Sequence, residues 1–393
     1  MHFFATCAKG TEGALRRELT GLRLAEVHGD RGGVSFQGEL EAGMRACLHA
    51  RSAMRVLLEL ARFPAPSAEA LYQGVRSVAW QEWLTVRSTL AVEATVGSSS
   101  ITHSGFAALK VKDGVVDALR DALGARPDVD PKDPDVRIVL HLQRDQATVS
   151  LDLAGAPLHR RGYRAAMTEA PLKETLAAAA LLLGGVDPAL PFVDPMAGSG
   201  TLAIEHAMRA RRIAPGLGRA FGFQRWPAYR GGPQSLWDRM KAEARAAVLP
   251  RAPAPIVARD GHPKAVEALR RNAAAAGVLA DLAIAKADAR DLTPIAGEGT
   301  LVSNPPYGER LGGKGRRMHG EEPPAPGQAA VAEKKLAGFY RGLSEMLARH
   351  RGWTVVLLSG NPLLQRAIAA RPEVDHRLWN GPLEVHLLRY RIR

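Results

Sequence analysis

Cysteine is scarce in this 393-residue chain, which contains only Cys7 and Cys47. Two cysteines cannot form a disulfide framework, and no Cys or His pair stands at the spacing of metal ligands. We therefore expect no disulfide scaffold and no metal site. Such sparing use of cysteine is typical of proteins in a reducing cytoplasm.

Long apolar runs are also missing. The most apolar stretch, residues 176–183, is far shorter than the roughly 20 residues that a membrane-spanning helix needs. The opening MHFFATCAKGTE becomes polar too early for a signal peptide. We expect a soluble, cytoplasmic protein with no membrane partner.

Acidic residues are outnumbered: 40 Asp and Glu stand against 53 Lys and Arg, a formal net charge of +13. Basic charge spread over several domains favours nucleic acid over a small acidic substrate as the partner. A basic protein without a nucleic-acid partner is the alternative.

Two small α/β modules are predicted first. Residues 1–66 read as β-α-β-α-β with one weak strand missing, which indicates a ferredoxin-like unit. The prolines within residues 63–66 predict a boundary. Residues 67–155 read as helix–strand–helix–strand–strand, typical of a binding module without acid–base chemistry, and its Trp80 and Trp83 are expected in the core.

From residue 192 onward, strands predicted at 192–194, 256–259, 282–286, 301–303, 354–359 and 384–390 alternate with helices. This predicts a doubly wound α/β sheet, a fold that binds ligands beyond the carboxyl ends of its strands. Residues 213–233 interrupt the pattern with aromatic side chains among arginines, and residues 312–335 interrupt it with glycine, proline and charge.

The stretch FVDPMAGSGTLAIE, residues 192–205, predicts a buried strand, a glycine turn and a helix start. Free N–H groups and the positive end of the helix dipole point at whatever binds there. A dinucleotide is one candidate, but the third glycine position is Ala203 and the next strand-terminal acid, Asp260, comes roughly sixty residues on instead of about twenty.

S-adenosylmethionine fits this spacing better. A carboxylate such as Asp260 can accept both ribose hydroxyls, Asp288 is placed to accept the adenine amino group, and Asp194 can attract the ligand's amino or sulfonium end. A helix N-cap is the alternative role of Asp260 and of Asp288. The predicted cofactor-binding residues are Asp194, Pro195, Ala197, Gly198, Ser199, Gly200, Thr201, Asp260 and Asp288.

A second motif, Asn304-Pro305-Pro306-Tyr307, follows a predicted strand beside the same crevice. The lone pair of a purine amino nitrogen is delocalised into the ring. The Asn304 side-chain carbonyl and the Pro305 main-chain carbonyl can accept its two hydrogens and hold it in line with a methyl group. Tyr307 can stack on a flipped base. The alternative is a Pro-Pro turn with a buried tyrosine.

These motifs resemble motifs I and IV of the class I S-adenosylmethionine-dependent amino-methyltransferases. NPPYGERL (304–311), RGYR (161–164), APLKETLAAA (170–179) and NGPLEV (380–385) narrow the resemblance to the THUMP-domain guanine-N2 methyltransferases of RNA, most closely their large-subunit rRNA branch. The resemblance covers essentially the whole chain. It implies an α/β fold, with a Rossmann-like class I methyltransferase domain (156–393) after ferredoxin-like (1–66) and THUMP RNA-binding (67–155) modules.

The resemblance also implies S-adenosylmethionine as cofactor and methylation of a guanosine N2 in 23S rRNA. Some members carry a second, fused methyltransferase that is absent here, so one modification is expected. A tRNA substrate is the near alternative. DNA adenine-N6 and protein glutamine methyltransferases share the Asn-Pro-Pro-Tyr chemistry, but the RNA-type module and residues 308–311 speak against them. A non-catalytic RNA-binding or assembly factor is the alternative from another class, and the sequence predicts no oligomeric state.

Contacts with RNA are expected at basic positions in the second module, in the linker 159–164, in the aromatic segment 219–230 and after the Asn-Pro-Pro-Tyr motif. The predicted residues are Lys110, Lys112, Arg160, Arg161, Arg164, Arg225 and Arg310. Residues 219–230 are also expected to line the route to the pocket.

Overall fold

The structure, a computed structural model, describes residues 1–166, 172–295, 297–307 and 328–393, without the side chains of 328 and 329. Its contacts divide the chain into two compact units. The first contains residues 1–7, 15–161 and 214–246, and the second contains 8–14, 162–213 and 247–393. Arg310 and the rest of 308–311, Ala170, Pro171 and residues 312–327 lie outside the described part of the chain.

The first unit is built on one eight-stranded sheet of order β2-β3-β1-β4-β8-β7-β5-β6. Its strands are β1 (His2–Thr6), β2 (Ala25–Asp30), β3 (Gly33–Gln37), β4 (Arg55–Pro64), β5 (Thr89–Gly97), β6 (Asp128–Val129), β7 (Val136–Gln143) and β8 (Gln146–Asp152). The helices along this part of the chain are α1 (Glu12–Gly21), α2 (Leu40–His49), α3 (Ala68–Arg76) and α4 (Ser104–Leu123).

The first half of this sheet has the ferredoxin-like order, because β1-α1-β2-β3-α2-β4 is a β-α-β-β-α-β unit. The strand missing from the sequence pattern is β2, an edge strand whose side chains are mostly exposed. β4 pairs with β1 on one side and with β8 on the other, and it runs as far as Pro64. The boundary predicted at 63–66 therefore begins inside a strand that the two predicted modules share.

The aromatic segment belongs to the core of the first unit. Two 3₁₀ turns, Gly222–Arg225 and Pro227–Tyr229, lead into helix α5 (Gly232–Ala246). Phe221, Phe223, Trp226 and Tyr229 are all buried there, and the Phe223 and Trp237 rings meet edge to face at 5.1 Å. The expectation that these rings line a route for RNA is wrong, because they have no accessible face to offer a base. The domain boundary at 156 remains a prediction.

The second unit is built on a seven-stranded sheet. In chain order, its strands are β9 (Phe192–Asp194), β10 (Ile256–Asp260), β11 (Leu282–Lys286), β12 (Thr300–Ser303), β13 (Thr354–Ser359), β14 (Val374–Asn380) and β15 (Leu383–Arg391).

 The hydrogen-bonded order of these strands in the sheet is β11-β10-β9-β12-β13-β15-β14.

Helices cover both faces of this sheet. Numbered on from α5 of the first unit, they are α6 (Glu174–Leu183), α7 (Thr201–Ala210), α8 (Pro263–Ala275), α9 (Gln328–Ala348) and α10 (Pro362–Ala367). Strands β9 to β13 run parallel, β15 runs antiparallel to β13, and the edge strand β14 pairs antiparallel with β15. The side chains of neighbouring strand residues pack into different hydrophobic cores. Phe192 packs into one core and Val193 packs into the other. This is the predicted doubly wound sheet, buried on both faces.

The strand order places β9 inside the sheet, between β10 and β12. β9 comes first in sequence, so the connections leave it in opposite directions and its carboxyl end lies at the switch point where such sheets bind ligands. Among the residues that the structure describes, no helix has both the length and the apolar character needed to cross a membrane.

Candidate active site

The glycine turn links the end of β9 to the start of α7. The Ala197 N–H donates to the Arg259 carbonyl at 2.8 Å, and the Gly200 N–H donates to the Ala197 carbonyl at 2.8 Å. Gly198 and Gly200 have φ angles of +56° and +91°, in the left-handed region that favours glycine. Pro195, Ser199 and Thr201 are buried beneath the turn.

The two glycines serve different purposes. A Cβ at Gly200 would lie 2.1 Å from the Leu269 side chain on α8, so this glycine permits close packing of the turn. A Cβ at Gly198 would meet no atom of the described residues within 4 Å. Within that part of the chain, the space beside the Gly198 backbone is free, which leaves room for a ligand against the turn.

Asp260 holds this turn from the end of β10. One of its carboxylate oxygens accepts the Gly198 N–H at 2.9 Å and the other accepts the His262 N–H at 2.8 Å. Each carboxylate oxygen has a second acceptor position. The half-buried carboxylate can therefore brace the turn and still accept hydroxyl donors.

Asp194 lies under the turn, with 1% of its surface exposed. The Ser303 hydroxyl donates to its Oδ1 at 2.7 Å and the Met196 N–H donates at 3.2 Å. Burial, with a smaller contribution from the negative charge of Asp260, raises the pKa of Asp194 to about 7. Its predicted contact with a ligand stays a prediction, and its observed contact joins the ends of β9 and β12.

Asp288 stands beyond the end of β11 and caps the 3₁₀ turn Ala289–Asp291 by accepting the Arg290 N–H at 2.9 Å. The Arg290 guanidinium binds both carboxylate oxygens, at 2.9 and 2.5 Å. This side chain first, and the backbone N–H second, lower the pKa of Asp288 to about 2. Asp288 therefore has the alternative capping role, and its carboxylate is charged. Its predicted contact with the adenine amino group stays a prediction.

The Asn-Pro-Pro-Tyr loop begins where β12 ends. The Tyr307 hydroxyl donates to the Asn304 side-chain oxygen, and burial raises the pKa of Tyr307, which keeps this hydroxyl a donor. The Tyr307 ring is half-buried against Gly360. The Ser303–Asp194 hydrogen bond joins the end of β12, where this loop begins, to the end of β9, where the glycine turn begins.

Sequence reasoning missed several polar side chains that support this site. Buried Asn272 of α8 donates to the carbonyls of Ser199 and Ala166 at 2.9 and 3.0 Å and accepts the Ala166 N–H at 2.9 Å. Tyr340 and Asn361 donate to main-chain carbonyls of the Asn-Pro-Pro-Tyr loop. No local motif marks them, since each is an ordinary polar residue on a separate element.

Two of the predicted RNA contacts are corrected by the structure. Arg161 is buried and donates to the carbonyls of Leu158 and Arg51. Arg164 pairs with the buried Glu174 at 2.8 Å and donates to the Leu172 carbonyl at 2.9 Å. Both guanidiniums are bound to the chain's own atoms, so they are not available for phosphates.

The other predicted RNA contacts differ in their surroundings. Arg160 is exposed, and Lys110 is half-buried with its ammonium 5.7 Å from the Phe106 ring. Lys112 pairs with Asp113 at 2.7 Å, and Arg225 pairs with Asp133 at 3.0 Å. Within the described ranges, no group of three His, Cys, Asp or Glu side chains is arranged to hold a metal ion.

The switch-point turn, the strand-end carboxylates and the sheet order define a doubly wound α/β domain with a candidate ligand site at β9. Family models match three consecutive parts of the chain: an RlmL ferredoxin-like domain over residues 2–57, a THUMP domain over 65–152 and an RMKL-like methyltransferase domain over 161–319.

Relatives match the chain over nearly its full length. The "Ribosomal RNA large subunit methyltransferase K/L" of Syntrophotalea carbinolica is 44% identical over 99% of this chain and 53% of its own length. The "Putative RNA methyltransferase slr0064" of Synechocystis sp. is 36% identical over 99% of this chain and 96% of its own length. The chain spans about half the length of the K/L relatives that it matches.

A solved structure has the same fold. SMU.472, described as a putative methyltransferase complexed with SAH, matches with a TM-score of 0.87 at 30% identity and covers 100% of this chain and 98% of its own. The chain belongs to the family of RMKL-like methyltransferases that carry RlmL ferredoxin-like and THUMP domains. The predicted family resemblance and fold class are confirmed.

Proposed function

We propose that this protein methylates the exocyclic N2 amino group of a guanosine in RNA, with S-adenosylmethionine as the methyl donor. The observation that carries the proposal is the 2.7 Å hydrogen bond from Ser303 to Asp194. This bond holds the Asn-Pro-Pro-Tyr loop, whose oxygen acceptors suit an amino group, beside the end of β9, where the glycine turn begins.

The residues at the turn fit S-adenosylmethionine. A Cβ at Gly198 would meet no atom of the described residues, and the Asp260 carboxylate lies beside this glycine. Asp260 would accept the ribose hydroxyls, Asp288 the adenine amino group, and the turn with Asp194 would hold the methionine end. When bound, this cofactor supplies an electrophilic methyl group. Relatives named as methyltransferases and a structural neighbour complexed with SAH support the assignment.

The chain's own contribution to the reaction is positioning. The Asn304 side-chain oxygen and the Pro305 main-chain carbonyl would each accept one hydrogen of the guanine amino group, which favours a pyramidal nitrogen with an available lone pair. The Tyr307 hydroxyl on the Asn304 oxygen supports this role, because it turns the amide so that oxygen, rather than NH₂, is held in the loop. No strong base is needed, since the attacking nitrogen becomes acidic once it is alkylated.

The THUMP domain and exposed basic side chains would bind the RNA. Arg160 and Lys110 are the predicted contacts whose charge has no carboxylate partner within the described residues. The names of the K/L relatives refer to large-subunit ribosomal RNA, which favours rRNA over tRNA as the substrate. We propose 23S rRNA as the substrate and the cytoplasm as the location. A tRNA substrate and a non-catalytic RNA-binding role are the alternatives.

Transfer of label from isotopically labelled S-adenosylmethionine into separated 23S rRNA and tRNA tests the proposal. We expect label in protein-free 23S rRNA. Label in tRNA alone would favour the tRNA alternative. Binding of both RNAs without any transfer would favour the non-catalytic one.

A further inference from the structure

Besides the main-chain carbonyl of Asn304 and the Tyr307 hydroxyl, the Asn-Pro-Pro-Tyr loop contains four oxygen acceptors: the Asn304 side chain and the main-chain carbonyls of Pro305, Pro306 and Tyr307. Three of them have donors. The Tyr307 hydroxyl binds the Asn304 oxygen, the Tyr340 hydroxyl binds the Pro306 carbonyl at 2.5 Å, and the Asn361 amide binds the Tyr307 carbonyl at 2.9 Å. Among the described residues, no donor reaches the Pro305 carbonyl.

The loop has few other ways to be held. Proline has no N–H, so Pro305 and Pro306 cannot anchor the backbone as donors. The carbonyls remain, and side chains from other elements must supply the hydrogens. Tyr340 comes from α9 and Asn361 comes from the start of α10.

Both donors are themselves fixed. Tyr340 is fully buried, and burial raises its pKa to about 12, which keeps the hydroxyl protonated. The Asn361 side-chain oxygen accepts the Leu363 N–H at 2.9 Å, and its main-chain carbonyl accepts the Ser359 hydroxyl at 2.9 Å. With its oxygen used as the cap of α10, the Asn361 amide can present only its NH₂ to Tyr307.

We propose that Tyr340 and Asn361 are positioning residues of the methyl-transfer site. By binding the two carbonyls that follow Pro305, they fix the orientation of those peptide groups and leave the Pro305 carbonyl for the amino group of the substrate. This inference rests on the proposed function and deepens it. Neither side chain need touch the substrate or the cofactor.

Two variants each remove one of these donors. Tyr340→Phe deletes a hydroxyl and keeps the buried ring, and Asn361→Asp keeps the oxygen that caps α10 and deletes the NH₂. Tyr390→Phe is the matched control, because Tyr390 is a buried tyrosine of the same unit whose hydroxyl has no hydrogen-bond partner among the residues that the structure describes.

We expect kcat for methyl transfer to RNA to fall at least tenfold in Tyr340→Phe and in Asn361→Asp. The KM for S-adenosylmethionine and the affinity for SAH, measured by calorimetry, should change less than twofold. The double variant should lose less than the product of the single losses, because both donors act through one loop. Tyr390→Phe should match the wild type in all of these measurements.

The proposal is overturned if both variants fold and keep kcat within twofold of the wild type, or if SAH affinity falls as much as kcat. Either result, with an active wild type, would leave the proposed function standing. A wild-type protein that transfers no methyl group to guanine would instead overturn the proposed function, and this inference with it.

Discussion

At the scale of single residues, Asp194 lies in surroundings that disfavour its charge. Its pKa in the folded protein, about 7, is above the ordinary value of 3.8. A raised pKa contributes stability that is fully present below pH 3.8 and is lost as pH rises through 7.

Asp194→Asn should therefore remove part of the pH dependence of the free energy of unfolding. Relative to the wild type, the variant should become more stable as pH rises from 4 to 8, by on the order of 4 kcal/mol at 1.36 kcal/mol per pKa unit. Urea unfolding of both proteins at several pH values measures this. Parallel curves over that range would contradict the raised pKa.

The two glycines of the turn should respond differently to alanine. Gly200→Ala should lower the free energy of unfolding by about 2–5 kcal/mol, because its Cβ would clash with Leu269 and its φ is positive. Gly198→Ala should cost only about 1–2 kcal/mol for its φ, yet weaken SAH binding at least tenfold. Chemical unfolding and calorimetry separate these effects. Unchanged SAH affinity in Gly198→Ala would indicate that the ligand does not bind at this turn.

Adjacent arginines offer a matched pair for RNA binding. Arg160→Ala should weaken RNA binding and reduce its salt dependence by about one ion without loss of stability, because the side chain is exposed. Arg161→Ala should cost about 1–3 kcal/mol of stability and leave RNA affinity unchanged, because it removes donors from two carbonyls. Binding titrations at several salt concentrations and thermal unfolding check both.

At the scale of elements, sequence patterns predicted the buried strands well. Phe192–Asp194, Leu282–Lys286 and Thr354–Ser359 agree with prediction because continuous apolar runs identify strands buried on both faces. The edge strands β2 and β14 were missed since exposed polar residues interrupt their patterns. Periodicity reports burial, and an edge strand is held mainly by backbone hydrogen bonds.

The aromatic segment shows the limit of residue type as a guide. Phe223 and Trp226 have the side chains that stack on bases and also the side chains that fill cores. Only the packing around Trp237 decides between these roles. Likewise, Arg160 and Arg161 have the same side chain and adjacent positions in the sequence. They differ in the folded structure, where Arg161 donates to main-chain carbonyls and Arg160 is exposed.

Phe223→Ala should accordingly act on stability. Its ring is fully buried, so its removal should lower the free energy of unfolding by about 3–5 kcal/mol. RNA affinity of the folded variant should stay within twofold of the wild type. A stable variant with weakened RNA binding would contradict this expectation and would indicate that the segment contacts RNA.

At the scale of the whole molecule, chain order and folded units do not coincide. Residues 214–246 follow the glycine turn in sequence but belong to the first unit, and residues 8–14 belong to the second. The motifs of the site could be predicted because they stand at strand ends, whose order in a doubly wound sheet is nearly fixed by sequence order. The units to which residues 8–14 and 214–246 belong could not be predicted, because no local sequence pattern indicates which hydrophobic core a segment packs into.

The most direct test of the central claim is nucleoside analysis of protein-free 23S rRNA after incubation with S-adenosylmethionine and either the wild type or Asn304→Ala. The account predicts N2-methylguanosine with the wild type. It also predicts a rate at least 10²-fold lower with Asn304→Ala, whose affinity for SAH should be unchanged. A different methylated nucleoside, or near-normal transfer by Asn304→Ala, would contradict the account.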